Sequence, residues 1–137
     1  MNIEFIERGA EQCPFIRIFG RDVEAIETLR DSARGLAAGA LNDVAIHALP
    51  RYQSVGAVTF VARVSERDIG ITRHQLSHSF EWSLSGDGWT LVKGLIDGLL
   101  PLKPRDAYQW LAGGEARYGL EESEIGLLLS ASHSGAW

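Results

Sequence analysis

From Gly56 to Leu84 apolar residues recur at every second position in two separate runs, and this alternation constrains the chain more than any other feature. Val58, Phe60, Ala62 and Val64 share one side of an extended segment, while Thr59, Arg63 and Ser65 share the other. Phe80, Trp82 and Leu84 alternate in the same way with Ser79, Glu81 and Ser83. Successive side chains of a strand point to opposite faces, so segments of this kind build a sheet with one buried and one solvated face. Ser65-Glu66-Arg67-Asp68 between them reads as a hairpin loop into a strand at Ile69–Thr72.

Two other segments carry the helical period. After Asp22, a good N-cap residue, Val23, Ile26, Leu29, Ala33 and Leu36 recur at steps of three or four, predicting a helix over about 22–37. Trp89, Val92, Leu95, Ile96, Leu99 and Leu100 predict a second over about 88–100, with Asp87 as its N-cap and Pro101 and Pro104 beyond its end. Shorter strands are expected at 2–8, Phe15–Phe19, Val44–Leu49 and Tyr108–Leu111. A last strand carries Ile125, Leu127 and Leu129, with Leu128 implying burial on both sides. Long runs of consecutive strands favour antiparallel pairing. The expected fold is therefore a single α+β domain over 1–137: a two-layer sandwich of one mainly antiparallel sheet, six or seven strands, with both helices on one face. The other face of that sheet is expected to be polar, groove-like or covered by a partner.

A chain of 137 residues, 45% apolar and 23% charged, has the composition of an ordinary globular domain. Met1–Arg8 carries early acids and no long apolar run, unlike a signal peptide. Leu91–Leu102 is interrupted by Lys93 and Asp97, too short and too charged to span a bilayer. These features give the cytoplasm as the expected compartment, with no membrane partner. The 18 acids outnumber the 13 bases, and the bases are scattered singly, so no nucleic-acid partner is expected.

No motif specifies a chemistry. Cys13 is the only cysteine, which forbids an intrachain disulfide and reads as a small apolar residue. His74 and His78 have the i, i+4 spacing of a metal pair on a helix, but the strand pattern from Ser77 on separates them, and Glu81 points to the face opposite His78. Ser83–Gly88 has glycines without the order of a nucleophile elbow or a phosphate loop, and reads as a helix-capping turn. Catalytic residues, cofactors and metals are accordingly not assigned.

What remains points to interaction. Glu121, Glu122 and Glu124 make an acidic run suited to a basic protein partner, and Trp137 is an aromatic that could dock on a second subunit. The leading expectation is a small non-catalytic module that binds another protein or itself, one version being an acidic antidote-like binder of a basic protein. The alternative is a small-ligand-binding or minor enzymatic domain. Its pocket would lie between sheet and helix, with Trp82, Trp89 and Trp110 as walls and Arg63, His78 and Glu81 as polar contacts.

Overall fold

The structure is a computed structural model, which describes residues 1–9, 14–75, 77–101, 107–112 and 125–131. Its strands are β1 (Asn2–Ile6), β2 (Phe15–Phe19), β3 (Asp43–Ala45), β4 (Gln53–Ser54), β5 (Thr59–Val64), β6 (Gly70–Arg73), β7 (Ser79–Leu84), β8 (Ala107–Ala112) and β9 (Gly126–Ala131). Helix α1 (Val23–Ala37) follows β2, and α2 (Gly86–Asp97) follows β7. The α+β class holds, but the single sheet does not. The strands divide into a five-stranded sheet, order β4-β1-β2-β9-β8, and a four-stranded sheet, order β3-β5-β7-β6. Of the seven strand pairings among the described residues four are antiparallel, while β1/β4, β2/β9 and β5/β7 are parallel.

The hairpin expected at Ser65–Asp68 is replaced by a wider excursion. Strand β7 lies between β5 and β6, so β6 pairs with its successor and not with its predecessor. The cause is visible in the loop. Asp68 Oδ1 accepts hydrogen bonds from the backbone N–H and the hydroxyl of Ser85, both at 2.9 Å, beside the start of α2. This tie holds the loop at the end of β7, from where the chain enters β6. Ser85, not Asp87, is the N-cap, its hydroxyl oxygen accepting from the Gly88 N–H at 3.2 Å. Val44–Leu49 likewise becomes a short strand followed by a 3-10 turn at Ile46–Ala48, where His47 Nδ1 accepts the Phe60 N–H at 3.0 Å.

One main core joins both sheets and both helices. Helix α1 buries Ala25, Ile26, Leu29, Ala33 and Leu36, and α2 buries Trp89, Val92 and Ile96. The helices pack on each other, and their inner faces meet Phe60, Ala62 and Trp82 of the four-stranded sheet. Trp82 stacks on Phe60 at 5.8 Å between ring centroids and meets the Trp89 edge at 4.6 Å. Trp89 Nε1 donates to the Arg63 carbonyl at 3.1 Å, so α2 is fixed to the backbone of β5 as well as to its side chains. Ile3, Ile16, Ile18, Leu127 and Leu129 bring the five-stranded sheet into the same core. Leu128 faces the other way and is fully buried with Phe15 and Trp110 in a second, small cluster, as the two-sided pattern of that strand requires.

Two ties fix the start of α1. Asp22 accepts from the Ala25 N–H at 3.2 Å and pairs with Arg51 at 3.1 Å. Partial desolvation acts to raise the Asp22 pKa, but the Ala25 N–H and the Arg51 guanidinium outweigh it and hold the carboxyl below its ordinary value. The buried Tyr52 hydroxyl donates to the Ala25 carbonyl at 2.7 Å. Burial, reinforced by the Asp22 charge, pushes the Tyr52 pKa well above its ordinary value.

Two outcomes follow for stability. A Cβ on Gly88 would sit 2.4 Å from Asp68 Oδ1 and 3.0 Å from Leu84 Cβ, whereas one on Gly94 meets nothing within 4 Å. Urea unfolding should show Gly88→Ala destabilising by about 1–3 kcal/mol through overpacking. Gly94→Ala, in the same helix, should stabilise by up to about 1 kcal/mol through helix propensity. The second outcome concerns alkali. Because the folded-state pKa of Tyr52 is raised, its contribution is fully present below the unfolded value of about 10 and is lost as pH rises past it. Stability should therefore fall more steeply above about pH 10 in the native protein than in Tyr52→Phe. Phenolate absorbance should show one tyrosine that ionises only on unfolding.

Candidate functional site

The pleat that buries Phe60, Ala62, Phe80 and Trp82 turns the intervening residues of β5 and β7 outward. Because β5 and β7 are parallel neighbours, these residues align in rows: Thr59 beside Ser79, Val61 beside Glu81, and Arg63 beside Ser83. On the flanks β6 sets Thr72 beside Glu81, and β3 sets Asp43 beside Arg63. The result is a groove of about 370 Å³ on the outer face of the four-stranded sheet, near the lower end of ligand-site volumes. Short side chains form its floor, and Arg63, Glu81, Arg73 and His74 form its polar border.

Contacts among these groups order the groove. Thr59 Oγ1 donates to Ser79 Oγ at 2.9 Å across the parallel pair. Arg63 Nε lies 3.3 Å from Glu81 Oε1, with both side chains about half exposed. Arg73 is held more firmly. Its guanidinium lies 4.8 Å from the Phe5 ring centroid and 5.9 Å from that of Phe80. Arg73 Nε donates to the Ser77 carbonyl at 2.6 Å, and Nη1 pairs with Glu7 at 3.3 Å. It thus clamps the end of β1 against the four-stranded sheet and closes one end of the groove.

The described residues singled out from sequence fall in four places. Arg63 and Glu81 meet on the groove. His78 stands just before β7, exposed, its ring edge-on to Phe5 at 5.8 Å. Trp82 and Trp89 meet inside the main core, where the gap between helices and sheet is only about 10 Å³, room for no more than one water molecule. Trp110 is separated from both, packed against Phe15 at 5.4 Å in the small cluster of the other sheet. The structure therefore does not gather the three tryptophans around one cavity. Alternation explains why: Trp110 has the phase of Leu128, opposite to Leu111, Leu127 and Leu129. Glu121, Glu122, Glu124, Trp137 and Cys13 lie outside the described residues.

Thr59, Val61, Thr72, Arg73 and Ser79 also line the groove and were not singled out from sequence, whereas His74, considered there only as half of a metal pair, stands on its border. Their signal was present as the polar half of each alternating run, but only the β5/β7 adjacency shows that the two halves form one surface. Among the described residues no group of three or more His, Cys, Asp or Glu side chains is arranged to hold a metal, and no helix is long and apolar enough to cross a membrane. No protein-family model matches the chain, and neither the curated proteins nor the solved structures compared with it gave a significant match.

The two arginines of the groove should separate in a thermodynamic cycle. Removing the half-exposed Arg63–Glu81 pair, with Arg63→Met and Glu81→Gln, should reveal a coupling below about 1 kcal/mol. Arg73→Met, which removes a guanidinium lying over the Phe5 ring, near Phe80, and hydrogen-bonded to backbone, should cost about 1–2 kcal/mol in urea unfolding.

Proposed function

We propose that this protein is a small non-catalytic interaction module, and that the outer face of the four-stranded sheet is where it receives a protein partner. The carrying observation is the groove itself: a polar sheet face backed by the Trp82–Trp89 core, with short side chains in register and a half-exposed ion pair on its border. Side chains mounted on paired strands are held more rigidly than loop residues, which lowers the ordering cost of binding. The principal hydroxyls and the carboxylate of this face contact one another, with Thr59 on Ser79 and Glu81 beside Arg63, which favours recognition over chemistry. The acidic balance of the chain, −5 overall, adds a long-range preference for partners or partner regions of positive charge. In the finer, antidote-like version of this reading, Glu121, Glu122 and Glu124 supply a second, acidic contact to a basic protein.

Native mass spectrometry of the protein purified from its own host at low salt tests the reading. A complex with a different chain is expected. Val61→Arg, which fills the groove floor from an outward-facing position, should abolish that complex while leaving the unfolding midpoint nearly unchanged. Retention of the complex by Val61→Arg would place the contact elsewhere, and a bare monomer under these conditions would count against the module itself. Charge reversal at Glu121, Glu122 and Glu124 should weaken the complex and flatten its salt dependence if the antidote-like version holds.

A further inference from the structure

The groove offers one cation in a form suited to recognition. Arg63 pairs with Glu81 through Nε at 3.3 Å, and its side chain is 50% exposed. Neither of its terminal nitrogens donates a hydrogen bond to a described residue. A guanidinium presents donors in a planar fork that matches a carboxylate with two parallel N–H···O bonds. Arg73, the other guanidinium of the border, is already committed to Glu7, to the Ser77 carbonyl and to two aromatic rings. The groove border thus holds a spent cation at its closed end and an available one away from it.

Charge around the groove points the same way. Its lining carries Arg63 and Arg73 against Glu81 alone, with Asp43 beside Arg63 on β3 and Glu7 reaching Arg73 from the end of β1. His74 stands on the border with its ring exposed. In the lining itself two guanidiniums stand against one carboxylate, and the Arg63 fork is the group placed to take up an anion. Beside it, Thr59 and Ser79 supply hydroxyls, and Val61 an apolar contact for the stem of an entering side chain.

We infer that the groove receives a carboxylate-bearing side chain of the protein partner, seated on the terminal nitrogens of Arg63. The inference rests on the proposed docking role of this face and adds the chemistry of the occupant. An entering Asp or Glu competes with Glu81 for Arg63, so the Arg63–Glu81 contact loosens as the partner seats. The half-exposed pair is weak enough to allow this.

The test is a titration of the ¹⁵N-labelled full chain, followed by NMR, with acetyl-Gly-Glu-Gly-amide, its Gln and Lys counterparts, and sodium acetate. The Glu peptide should move the Arg63 side-chain Nε–H and the amide signals of Thr59–Arg63 several-fold further than the Gln or Lys peptide at equal concentration. Arg63→Gln should abolish the response, and Arg63→Lys, which keeps the charge without the fork, should lose most of it. A response that survives Arg63→Gln, or that is equal for Glu and Gln, overturns the inference. A stronger response to the Lys peptide overturns it in favour of a cationic occupant on Glu81, and acetate matching the peptide overturns it in favour of a free small carboxylate. If the Glu peptide is ignored while Val61→Arg still abolishes the native complex, the docking face stands and the carboxylate assignment fails. If the Glu peptide binds but no complex is captured, the docking role fails and the anion site stands.

Discussion

Trp82 and Trp89 meet where the second helix lies across the four-stranded sheet, and the orientation of everything around them depends on that contact. The rings meet edge to face at 4.6 Å, and Trp89 Nε1 reaches past the side chains to the Arg63 carbonyl. A large aromatic contributes more buried area than any other side chain, so placing two together defines which side of β5 and β7 is inside. Once that side is set, the pleat leaves no choice about Thr59, Val61, Arg63, Ser79 and Glu81. The outward face, and with it the groove, is the reverse side of the tryptophan contact.

A second dependence runs through Asp68. Its carboxylate accepts from both the N–H and the hydroxyl of Ser85, which couples the loop after β5 to the start of the helix after β7. The coupling explains two features at once: the absence of a Cβ at Gly88, where one would collide with Asp68, and the insertion of β7 between β5 and β6. Without that insertion Glu81 would not lie one strand away from Arg63. The carboxylate that holds the N-cap residue of α2 thus lies at the junction that precedes β6.

Legibility from sequence was uneven, and the unevenness has a physical pattern. Both helices could be read from their apolar period, and α1 from its Asp22 cap, because helical hydrogen bonds and caps are local. Strand positions were legible for the same reason at 15–19, 59–64 and 79–84. Four residues, Gln53–Ser54 with their neighbours Arg51 and Tyr52, gave no periodic signal, yet β4 forms because the Gln53 N–H pairs with the Met1 carbonyl far away in the chain. At the groove, the polar character of Arg63 and Glu81 was visible, but their 3.3 Å approach was not, since it depends on which strands pair. Trp110 shows the converse error. Its aromatic character suggested kinship with Trp82 and Trp89, while its phase on β8 put it in a different cluster.

From sequence alone come the two helices, the alternating strands, the inward set headed by Phe60, Trp82 and Trp89, and a net charge of −5. All of these follow from short-range periodicity and side-chain chemistry. Tertiary structure decided the division into two sheets, the three parallel pairings, the closing of the space between helices and sheet, and the assembly of Thr59, Val61, Arg63, Thr72, Ser79 and Glu81 into one groove. The reason is that strand hydrogen bonds join residues distant in sequence, and every strand edge offers the same backbone donors and acceptors. Which edges meet is settled by packing around the tryptophans and by the reach of Asp68, neither of which is written in any local pattern.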